Sequence, residues 1–86
     1  MKNRGRTEML AAMLEVAKGK VTKTKIMYIA FLSYGQLKEY LSILIENNLI
    51  EYLDGDNKFK TTEKGLNFLK MHNQIEELLQ TTTKNN

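Results

Sequence analysis

The 86-residue chain has no cysteine, no proline, no tryptophan and a single histidine, His72. Without cysteine there are no disulfides, no thiolate metal ligands and no cysteine nucleophile. That composition suits a reducing compartment, so the chain reads as cytoplasmic. His72 sits among polar neighbours with no acid or nucleophile beside it, which makes it a surface residue and not a catalytic one. Average chains hold about 5% proline, so its absence favours helices and short turns over stiff loops. The longest apolar run, 26–32, is seven residues. A membrane span needs about twenty. There is no phosphate-binding glycine loop and no paired-carboxylate constellation, so the sequence points to no enzyme, no cofactor and no small-molecule ligand. The acidic turn at Asp54 and Asp56 lacks the ligand count of a calcium loop, and no metal site is expected.

What is present is charge, unevenly spread. Thirteen Lys and Arg against ten Asp and Glu give +3. The first 25 residues carry +5 of this and the remainder −2. A positive first third suits an anionic partner, although solubility alone also accounts for a small net charge. The length allows one domain with one modest core.

Periodicity supplies the elements. Leu10, Met13, Leu14 and Ala17 make a helical stripe from about Thr7, as N-cap, to Lys18, with Gly19 as the stop. Val21 suffices for a very short strand. Thr22 or Thr24 caps a second helix, 23–30, with Ile26, Met27, Ile29 and Ala30 as its apolar side. Phe31 and Leu32 turn the chain into a third helix, capped by Ser33, with Leu37, Leu41, Leu44 and the Ile45 flank inward and Asn47-Asn48 at its end. Leu49 to Leu53, Asp54-Gly55-Asp56-Asn57 and Lys58 to Thr61 read as a hairpin around an Asp-Gly turn. A last helix begins at Thr61-Thr62 and carries Leu66 and Leu69 toward the core. The order is helix, strand, helix, helix, hairpin, helix: a mainly α, α+β winged helix-turn-helix. Residues 1–6 read as a flexible basic arm, 7–62 as the domain, 63–80 as a C-terminal helix for dimerisation, and 81–86 as a disordered tail.

Three blocks carry a family resemblance: Val21-Thr22-Lys23-Thr24-Lys25-Ile26-Met27-Tyr28, Leu32-Ser33-Tyr34, and Leu37-Lys38-Glu39-Tyr40-Leu41. Leu49-Ile50 and Thr62-Glu63-Lys64-Gly65 continue it. The chain resembles the small archaeal winged-helix DNA-binding proteins. The resemblance implies a cytoplasmic transcription regulator or chromatin protein. It also implies a possible dimer, since some relatives pair through an antiparallel coiled coil of the last helix. Here 63–80 is shorter, about 27 Å at 1.5 Å per residue.

In such a fold the third helix offers its N-terminal residues to the major groove. Inward Leu37, Leu41 and Leu44 leave Gly35, Gln36, Glu39, Ser42 and Ile43 outward, with Lys38 on the flank. Gln36 suits a bidentate pair with adenine, and Lys38 suits guanine or a phosphate. Ser33 and Tyr34 stand where a phosphate meets the helix start, unless they serve only as cap and core. Lys23 and Lys25 on the second helix, Lys58 and Lys60 on the wing, and Arg4 and Arg6 on the arm would supply backbone contacts to duplex DNA. Glu39 opposes that reading. It favours the alternative, a winged-helix protein-interaction module whose lysines serve solubility. Finally, Phe68, Met71, Ile75 and Leu78 follow 3-4-3 spacing, the pattern of a homodimer seam.

Overall fold

Nearly every side of the first helix, α1 (Arg6–Val16), is covered. Leu10, Ala11, Met13, Leu14 and the adjoining Ala17 are buried, and Met9, Ala12 and Val16 pack half-buried against them. A helix apolar around most of its circumference belongs at the centre of a domain, and α1 lies there. The computed structural model describes residues 5–84. After α1 come α2 (Lys23–Ile29), α3 (Tyr34–Glu46), β1 (Ile50–Leu53), β2 (Lys58–Thr61) and α4 (Glu63–Lys84). The strands pair antiparallel, Ile50 opposite Thr61 and Leu53 opposite Lys58. Val21 adds a single bridge to Phe59, exchanging two backbone hydrogen bonds with it. This is the element order expected from the sequence.

The sheet is held to α1 through the helix end. The last carbonyls of a helix lack intrahelical partners. Here Leu14 O accepts the Thr61 hydroxyl at 2.6 Å and Ala17 O accepts the Thr61 N–H at 2.8 Å. Lys18 O accepts from Lys60 Nζ at 3.2 Å. Thr61 is thereby buried with its polar atom satisfied.

Several boundaries move. Gly5, not Thr7, caps α1: its N–H donates to the Glu8 carboxylate at 2.8 Å, and its carbonyl accepts from Met9 N at 3.1 Å. Arg6 therefore opens α1 and is no part of a flexible arm, while Lys2 and Arg4 lie outside the described residues. The helix stops at Val16, before Lys18, because the Lys18 N–H turns to Glu15 O. Ile29 and Ile45, expected inward, are exposed at the helix flanks. Ile43, expected outward, lies half-buried against the core.

The tight turns use residues other than glycine. Phe31, Asn48 and Asn57 have φ of 58°, 60° and 57°, and no glycine has positive φ. Asn48 ends α3 as its type suggests. In the hairpin the left-handed residue is Asn57 and not Gly55. Leu53 O accepts from both Asp56 N and Asn57 N, so the loop 54–57 closes as a four-residue turn. For Phe31 the left-handed conformation costs roughly 1–2 kcal/mol.

Thr62 caps α4, its hydroxyl accepting from Gly65 N at 3.0 Å and donating to Asn48 O at 2.7 Å. The helix runs 22 residues, about 33 Å, through Lys84 instead of ending at Gln80. No glycine or proline follows Gln80 to stop it. Leu69 is buried on α1, and Phe68 packs half-buried against the core. Leu66, expected inward, is exposed. The molecule measures 50 × 27 × 19 Å. No described helix is long and apolar enough to cross a membrane.

Candidate nucleic-acid interface

The turn into α3 is fixed by a reciprocal cap. Ser33 Oγ accepts from Gln36 N at 3.1 Å, and Gln36 Oε1 accepts from Ser33 N at 3.0 Å. Both satisfy orphan groups of the helix start. This gives Gln36 a local role that the base-reading assignment overlooks. A bidentate pair with adenine needs the carboxamide oxygen, which the cap already holds.

Beyond the cap, Tyr34, Gly35, Lys38, Glu39 and Ser42 line a shallow concavity of about 490 Å³. Leu37, Leu41 and Leu44 anchor the opposite side of the helix in the core. Lys38 Nζ stands 5.6 Å from the Tyr34 ring centroid, a cation–π distance. Glu39 is exposed beside them, so the concavity carries both signs of charge. Tyr34 is open to solvent and forms no part of the core.

A second, larger concavity of about 750 Å³ is lined by Thr22, Lys23, Thr24, Ile45, Tyr52, Asn57 and Phe59. Lys38 and Ile45 are seven residues apart, two helical turns, so one face of α3 runs from the first concavity to the second. Thr22 caps α2 by accepting from Lys25 N at 3.2 Å. The first turn of α2 holds no acid, only Lys23 and Lys25, both exposed. Cations at a helix N-terminus oppose the macrodipole, a cost of about 0.3–1 kcal/mol each that an anion would offset. Among the described residues neither lysine has an ion pair. The Tyr52 hydroxyl donates to Asn57 Oδ1, and the Tyr52 and Phe59 rings lie 5.0 Å apart. Tyr52 and Asn57 escape the sequence reading. An exposed strand tyrosine facing a turn asparagine has no signature before the hairpin register is known.

The wing lysines are less available than their alternation suggests. Lys60 reaches back to Lys18 O, and Lys58 is half-buried. At the wing tip Asp56 pairs with Lys20 at 2.8 Å, and that ammonium holds the Asp56 carboxyl below its ordinary value. The structure thus lines α3 and α2 with Tyr34, Lys38 and Lys23, leaves Lys25 exposed nearby, and engages Ser33 and Gln36 in the cap. Arg6 is exposed at the start of α1, and Arg4 lies outside the described residues. Among the described residues no three His, Cys, Asp or Glu side chains gather where they could hold a metal ion.

No curated protein matches the chain. Among solved structures it is similar to Sso10a-2, described as a DNA-binding protein from Sulfolobus solfataricus. The TM-score is 0.77 at 22% identity, over 95% of this chain and 92% of that one. At that identity the likeness concerns the fold. The family model described as winged helix-turn-helix matches residues 3–80, which takes in the helix pair, the hairpin and most of α4. Sequence match and architecture agree, and the chain belongs to the winged helix-turn-helix family.

Proposed function

We propose that the protein binds duplex DNA, with the N-terminal face of α3 toward the major groove and Lys23 and Lys25 on the flanking phosphates. The observation that carries this reading is the pair of lysines opening α2 without an acid to neutralise them, beside an exposed α3 face bearing Lys38 and Tyr34. Folding gains nothing from cations at that position, whereas a phosphate backbone would. The solved structure of similar fold is described as a DNA-binding protein, which supports the same reading. A role in transcription regulation follows as the use of such a module.

A homodimer completes the proposal. Met71 and Ile75 are 51% and 57% exposed on α4, and Leu78 continues their line. Phe68 belongs to the subunit's own core more than to this seam. A two-fold dimer would carry two α3 helices to half-sites about one DNA turn, or a multiple of it, apart.

Glu39 in the α3 concavity and the turned-back Lys60 favour a second reading, a protein-interaction module. Titration of a duplex across salt concentrations separates the two. DNA binding through phosphates weakens steeply with salt; a protein-interaction module shows no duplex binding even at low salt.

A further inference from the structure

From residue 16 to residue 38 the chain carries five lysines and no acid. Three of the seven aromatic residues, Tyr28, Phe31 and Tyr34, fall in the same stretch. They are 76%, 82% and 61% exposed. A lone exposed ring is ordinary, but three within seven residues, extended by exposed Ile29, form a patch. Phe31 is the least expected of them. It occupies a left-handed turn where glycine or asparagine is unstrained, and asparagine fills the other two such turns. Its ring is not used in the core either.

The three residues sit at one corner of the chain, the turn from α2 into α3. Phe31 N donates to Tyr28 O at 3.3 Å, closing the end of α2, and Tyr34 opens α3 three residues later. A lysine flanks each end of the corner, with Glu39 following Lys38 at the α3 end. Lys38 Nζ lies 5.6 Å from the Tyr34 ring, and Lys25 precedes Tyr28 by three residues on the exposed side of α2.

From this arrangement we infer that the corner 28–34 is a stacking ledge for the unpaired bases of a single-stranded nucleic acid, with Lys25 and Lys38 on its phosphates. Rings interleaved with cations match a polymer that alternates flat bases with anions. A duplex does not offer its base faces, which are covered by the stack. This activity goes beyond duplex binding, and each can fail without the other.

The test uses the full chain with labelled oligothymidylate and oligouridylate about a dozen nucleotides long, read by fluorescence anisotropy at low salt. The variant combines Tyr28→Ala with Phe31→Gly. Neither side chain is buried, and glycine relieves the turn at 31, so an unchanged melting temperature is expected. Both oligonucleotides should bind the parent, and any difference between them reports the 2′-hydroxyl. The variant should bind at least about tenfold more weakly while duplex affinity changes less than about twofold. The Tyr28 and Phe31 ring protons of the parent should shift on adding oligonucleotide. Equal affinity of parent and variant would overturn the inference, as would absence of oligonucleotide binding. A variant that alters only self-association would assign the patch to a protein contact and overturn it equally.

Discussion

Gly65 lies against the carbonyl of Leu49 so closely that a Cβ on Gly65 would stand 2.2 Å from that oxygen and 2.6 Å from Thr61 Cγ2. The contact joins the start of α4 to the chain leaving α3. Around it Thr62 N donates to Leu49 O at 3.0 Å and Lys64 Nζ to Asn47 O at 2.9 Å. The Thr62-Glu63-Lys64-Gly65 start of α4 is thus fastened to the end of α3.

Gly65→Ala reverses the usual sign of such a change. In a helix alanine is favoured over glycine by about 1 kcal/mol. Here the methyl group meets backbone that cannot yield cheaply. The variant should lose about 2 kcal/mol or more in urea denaturation. Stability unchanged or raised would mean that the backbone around Leu49 yields readily to a methyl group.

The wing tip gives a pH signature. Asp56 titrates below its ordinary value of 3.8 because Lys20 donates to it and stands beside it as a cation. A carboxyl with a depressed folded-state pKa contributes stability above its unfolded pKa and loses that contribution as pH falls through the folded one. The window is therefore acidic, below about pH 4. By NMR titration the Asp56 carboxyl should move up toward 3.8 in Lys20→Met. An unmoved midpoint would show that the pair does not persist in solution.

Much of this fold is legible in the sequence because its signals are local. Leu37, Leu41 and Leu44 announce the buried side of α3, and Ser33 with Gln36 three residues on is a capping-box pattern. That same pattern makes the local use of Gln36 readable, and it competes with any base contact. What sequence does not carry is contact across distance. Thr61 reads as a strand end, yet its hydroxyl and N–H close α1, 47 and 44 residues away. Lys60 alternates correctly with Phe59 but folds back to Lys18, and no periodicity marks that. Nor does phenylalanine signal a left-handed turn, which propensity assigns to glycine or asparagine.

Assembly has its own check. Burying a large apolar side chain gives roughly 1.5–3 kcal/mol, so Met71, Ile75 and Leu78 from two chains can support association. Sedimentation equilibrium at micromolar concentration should give twice the 10.0 kDa chain mass. Met71→Glu with Ile75→Glu should return a folded monomer with weaker duplex affinity. A parent already monomeric under those conditions would dismiss the dimer.

The most direct test of duplex binding is the salt dependence of affinity, compared between the parent and Lys23→Ala with Lys25→Ala. About four phosphates contacted per subunit give a log–log slope near −4. Removing both lysines should weaken all sequences alike and flatten the slope by about 2, with no loss of thermal stability, since two cations leave a helix N-terminus. No binding to duplex at low salt, or a slope untouched by removing Lys23 and Lys25, would contradict DNA binding through this face.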